Sequence, residues 1–152
     1  MASDIKQILV PIDFSPTSEH ALDYAIDFAK KVGAKITVMH AYELPVYGFP
    51  DGALVATADV AARILQSAQA GLQAAVEKHK GEGVEMTSIL RDGPPPEEVA
   101  AVAKLTKADL VILGTHGRRG LRRAIMGSVA EEVIRACECP VLTVHNPADL
   151  KA

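Results

Sequence analysis

The residues best equipped for chemistry lie between Ala108 and Ala136, in ADLVILGTHGRRGLRRAIMGSVAEEVIRA. Leu110-Val111-Ile112-Leu113 is a short continuous apolar run, the pattern of a strand buried on both faces, and it stops at Gly114. Gly117, Gly120 and the arginines Arg118, Arg119, Arg122 and Arg123 follow. Gly127-Ser128 then opens a stretch carrying Val129, Val133, Ile134 and Ala136 at helical spacing. Strand, glycine loop, basic residues and helix start are together the physical ingredients of a phosphate site. Glycines let the backbone approach closely and adopt positive φ. N–H groups and the positive end of the dipole at a helix start attract an anion, and guanidinium groups add charge and forked donors.

The spacing Gly114-x2-Gly117-x9-Gly127-Ser128 arises by chance in under about one per cent of chains this long, given ordinary residue usage. Neither Gly-x4-Gly-Lys-Ser/Thr nor Gly-x-Gly-x-x-Gly is present. Gly117-Arg-Arg-Gly120 shares its letters with the loop of KH domains, but that loop joins two helices and this one follows a strand. Support for catalysis is thinner. His116 has no activating partner at a readable spacing, so no catalytic residue is expected. Ser128 and Glu131 have capping-box spacing, which competes with ligand contact. Asp13 either caps the first helix or faces a ligand, and Ser15 is the better cap. His40 and His145, at strand ends, are expected to be structural. Cys137 and Cys139 are the only cysteines. No further Cys or His completes a zinc pattern, so no metal is expected and the thiols read as reduced and inert.

The elements that must hold these residues follow in order. Ile5 to Ile12 is the first strand, with Pro11 near its end. Ser15 caps a helix with Pro16 at its first position. Ala21, Leu22, Ala25, Phe28, Ala29 and Val32 form its apolar stripe, and Gly33 ends it. Lys35 to Ala41 is the second strand. Glu43 to Ala58 reads as a long loop. Asp59 caps the next helix, whose stripe runs from Ala61 to Val76. Val84 to Leu90 is the third strand. A turn at Arg91 to Pro96 leads to a helix with Glu97 and Glu98 in its first turn. Ala108 to Leu113 is the fourth strand and Val141 to His145 the fifth.

Strict strand–helix alternation in 152 residues gives a single α/β domain, residues 1–152. It is expected to be a doubly wound five-stranded parallel sheet of order 3-2-1-4-5, with helices on both faces. The first and fourth strands are then neighbours at the switch point, and a ligand belongs outside their C-terminal ends. With 49% hydrophobic residues and no tryptophan, the core must be aliphatic. A net charge of −3 argues against a nucleic-acid polymer as partner. The opening MASDIKQ lacks an apolar signal region and no run is long enough to span a membrane, so the expected location is the cytoplasm.

The chain resembles the universal stress protein family over its whole length. The matching segments are KQILVPIDFSPTSEHAL, ITVMHAYE, Asp92-Gly93-Pro94, ADLVILGTHGRRGLRRAIMGSVAEEVIRACECPVLTVH and the glycine spacing. The resemblance implies ATP or a related adenine nucleotide (ADP or AMP), with or without Mg, and a homodimer paired through the Val141–His145 edge strand. Carried over by position, it sets Pro11 and Asp13 beside the adenosine and the Ala41 backbone at the adenine edge. It sets Leu113 and Gly114 by the ribose, and Gly117, Arg118, Gly127, Ser128 and Val129 around the phosphates. The implied function is an ATP-binding stress-response regulator, a nucleotide-dependent switch acting on a protein partner. The alternatives are a slow ATP hydrolase and a nucleotide-free interaction module.

Overall fold

The computed structural model describes residues 4–45, 47–48, 54–55, 58–115 and 126–147. Its main sheet is built from β1 (Gln7–Pro11), β2 (Lys35–Tyr42), β5 (Met86–Asp92), β6 (Leu110–Gly114) and β7 (Val141–Val144). All pairings in it are parallel and the spatial order is β5-β2-β1-β6-β7, the 3-2-1-4-5 arrangement expected from the alternation. Among the described residues four helices connect the strands: α1 (Pro16–Val32), α2 (Ala58–Lys78), α3 (Pro95–Leu105) and α4 (Ser128–Ala136).

Alternate residues of the central strands feed two cores. Ile8, Val10, Leu110 and Ile112 pack with α1 and α2 residues such as Leu22, Ile26 and Leu72. Leu9, Val111 and Leu113 pack on the other face with Val99 and Val102 of α3 and Ala130 and Val133 of α4. Right-handed crossovers require this division, because the chain moves one way along the sheet through α1 and α2 and the opposite way beyond β1 through α4.

Local signals place α1 as expected. The Ser15 side chain accepts from the Ser18 amide, Pro16 opens the helix, and Gly33 closes it at φ 74°. Three local readings need correction. Asp59 does not cap α2, which begins one residue earlier, at Ala58; its carboxylate lies in the first turn, where the dipole favours it. The turn placed at Arg91 begins later, because β5 continues through Asp92 in register with Tyr42. The stretch from Glu43 to Ala58 is not structureless. It holds a small antiparallel ribbon, β3 (Tyr47–Gly48) with β4 (Leu54–Val55).

Candidate functional site

β1 and β6 run side by side, Ile8 opposite Leu110 and Leu9 opposite Val111, and their connections leave on opposite faces. Their C-terminal ends therefore form the switch-point crevice. Pro11 ends β1 and Asp13 lies two residues beyond, both partly buried. Leu113 and Gly114 end β6, and Ala41 is the penultimate residue of β2, one strand over. Gly127, Ser128 and Val129 reach the same edge because the Gly127 amide donates to the Thr115 carbonyl at 2.6 Å, directly after β6. The fold thus brings eight of the expected site residues to one end of the sheet. Gly117 and Arg118 lie outside the described residues, as do His116 and the other loop arginines.

The start of α4 is built differently from that of α1. Gly127 is its N-cap and makes no side-chain cap hydrogen bond. Ser128, which is exposed, is the first helical residue, not the N-cap, so the Ser128–Glu131 capping box that competed with ligand contact does not form. The Glu131 carboxylate instead receives Arg135 at 3.2 Å, one helical turn on. The first amide to enter the helical ladder is that of Glu131, donated to the Gly127 carbonyl. The amides of residues 128 to 130 precede it at the positive end of the helix dipole, beside an exposed hydroxyl. That arrangement can receive an anion.

Two glycines of the motif have reasons other than the positive φ expected of them. Gly127 sits at φ −63°, ordinary for any residue, and is buried. At Gly114 a Cβ would lie 2.7 Å from Thr17 Cγ2 and 3.1 Å from the Thr17 carbonyl oxygen. Gly114 is therefore a packing glycine, which lets the first turn of α1 close over the end of β6.

Asp13 does not cap α1, whose N-cap is Ser15; it organises the turn that leads into the helix. Its Oδ1 accepts from the Ser15 amide at 3.0 Å and its own amide donates to Ser18 Oγ at 3.3 Å, so it shapes the turn while Ser15 caps the helix. Between them Phe14 adopts φ 66°. The Phe14 ring lies 4.4 Å from that of His40, centroid to centroid. His40 Nδ1 stands 2.7 Å from the Ile12 carbonyl oxygen, which can only accept, so that nitrogen carries the proton. On the other flank Thr115, fully buried, meets His145 Nδ1 through its hydroxyl at 3.3 Å and donates its amide to the Val144 carbonyl. The end of edge strand β7 is thereby tied to the start of the glycine segment.

The cysteines stand away from this crevice, after α4 and before β7. Burial pushes the Cys137 thiol above its ordinary range, with Cys139 adding to the effect. Cys139 is raised chiefly by burial, and the Asp109 carboxylate acts in the same direction against a backbone hydrogen bond that lowers it. Among the described residues no helix is long and apolar enough to cross a membrane, and no group of three His, Cys, Asp or Glu side chains could hold a metal ion.

The model of the universal stress protein family matches residues 4–145. The chain belongs to that family. Universal stress protein MJ0531 of Methanocaldococcus jannaschii is 33% identical over 144 residues, covering 93% of this chain and 83% of the relative. A solved universal stress protein, UspA from Lactobacillus plantarum, shares the fold with a TM-score of 0.80 at 21% identity, covering 94% of this chain and 99% of its own. A universal stress protein solved in complex with cAMP is 27% identical with a TM-score of 0.70, covering 94% of this chain and 99% of the other.

Sequence reasoning missed the contacts of Phe14, Gly71 and Thr115, while His40 is structural as expected, held by the Ile12 carbonyl and the Phe14 ring. A phenylalanine between Asp and Ser carries no signal for a left-handed backbone, and Gly71 in a helical stripe reads only as a weak helix position.

Proposed function

We propose that this universal stress protein binds an adenine nucleotide, ATP first among ATP, ADP and AMP, in the crevice outside β1, β2 and β6. The observation that carries this reading is the N-terminus of α4, whose N-cap Gly127 supplies no side-chain cap and is drawn to the end of β6 by the Gly127–Thr115 hydrogen bond. In this reading the amides of Ser128 and Val129 and the Ser128 hydroxyl hold the phosphates, together with Gly117 and Arg118. Pro11, Asp13 and the Ala41 backbone border the adenosine, and Leu113 and Gly114 close the ribose side. The relative solved with cAMP, an adenine nucleotide, supports the ligand class.

The proposed role is regulatory and cytoplasmic. Bound nucleotide, with or without Mg, favours one arrangement of the glycine segment and so changes the surface offered to a protein partner. Two chains pair through β7, whose outer edge has no strand beside it among the described residues. Mass spectrometry of small molecules released from purified protein tests the ligand. Adenine nucleotide at near one per chain supports the reading. Ligand-free protein that also gives no saturable heat with ATP–Mg refutes it.

A further inference from the structure

Phe14 holds a backbone conformation that is uphill for a bulky L-residue, φ 66°, and it does so next to Asp13. What keeps it there is visible. The tip of its ring meets α2 at Gly71, where a Cβ would stand 2.8 Å from Cζ and 2.9 Å from Cε1. A glycine in the interior of a 21-residue helix is a poor helix residue, and here it makes room for this ring. A second neighbour is the His40 imidazole, tilted by 38° to the phenyl plane. His40 is itself fixed, donating Nδ1–H to the Ile12 carbonyl at 2.7 Å. The segment Ile12–Phe14, His40 and Gly71 thus form a closed set of contacts across β1, β2 and α2.

Its position gives that set a consequence. Asp13 precedes Phe14 and Ala41 follows His40, and both are among the residues assigned to the adenosine, one just beyond β1 and the other in β2. We propose that Phe14 is a positioning residue for the nucleoside half of the site. Its ring, in contact with both Gly71 and His40, sets the Asp13 turn against the Ala41 backbone. The inference rests on the nucleotide reading above and goes beyond it, because it makes adenosine recognition depend on a contact with α2.

The test is titration of ATP and, separately, of inorganic tripolyphosphate as a competitor, into wild type and two variants. Phe14→Gly removes the ring while leaving the left-handed backbone allowed. Gly71→Ala favours the helix but displaces the ring. Each variant is first checked for native circular dichroism at the assay temperature. The expected result is a loss of ATP affinity of tenfold or more in both variants, with tripolyphosphate competition changed less than twofold, since α4 is untouched. Equal losses toward both probes point to general loosening and overturn the proposal, as does unchanged ATP affinity in either variant. Failure of the wild-type chain to bind ATP at all refutes the nucleotide reading itself.

Discussion

Gly127 donates its amide to the carbonyl of Thr115 at 2.6 Å, so the start of α4 is joined directly to the residue that follows β6. The same Thr115 donates its amide to Val144 of β7 and shares its hydroxyl with His145. The helix start that would hold phosphate is thus fastened to the end of β6 and, through the same threonine, to edge strand β7.

Gly127→Val tests that helix start. At φ −63° and ψ 152° valine fits the backbone without strain, and the amide bond to Thr115 is retained. What changes is a side chain introduced at a buried position beside the proposed phosphates. ATP affinity is expected to fall tenfold or more, about 1.4 kcal/mol, measured by isothermal titration calorimetry. Unchanged affinity would show that no ligand approaches this residue.

Gly114→Ala acts on the fold instead. The added methyl meets both the side chain and the carbonyl of Thr17, the latter part of α1's backbone, which cannot swing away. Overpacking of this kind costs about 1–3 kcal/mol, read as a lower urea midpoint with an unchanged slope. Adding Thr17→Ser removes the nearest carbon and is expected to recover part of the loss.

Ser15→Ala removes the acceptor of the Ser18 amide at a buried helix start. The expected cost is about 1 kcal/mol in urea denaturation. Ser15→Asp, which keeps an acceptor, should cost less.

The two thiols give a pH prediction. Burial disfavours the thiolate at Cys137 and Cys139, so both titrate above the ordinary cysteine range. Iodoacetamide should therefore modify the folded protein more slowly than the urea-unfolded chain at pH 8, with the gap closing as pH rises. The linkage has a definite sign. Between the unfolded and folded titration midpoints the unfolded chain has already lost protons that the folded chain keeps, so stability declines there as pH rises.

Much of this was legible in the sequence because it depends on short-range pattern. Apolar runs broken by helical stripes specify the parallel sheet and its order, and Ser15, Pro16 and Gly33 mark the bounds of α1. Contacts between distant residues leave no such trace. Gly114 is glycine because of Thr17, and Gly71 because of Phe14. His79 lies between Asp23 of α1 and Glu82 at 3.2 Å each, a clasp that no periodicity announces. The ribbon of β3 and β4 escaped notice because two-residue strands are too short to alternate. The capping box failed for a physical reason too. Gly127 took the cap position, which left Glu131 free to pair with Arg135 along the helix.

The central claim is most directly tested by a crystal structure of the protein grown with ATP–Mg. Electron density for adenosine between Asp13 and the Ala41 backbone, with phosphates at the amides of Ser128 and Val129, is the predicted result. An empty crevice at saturating nucleotide, or nucleotide bound elsewhere on the chain, contradicts it.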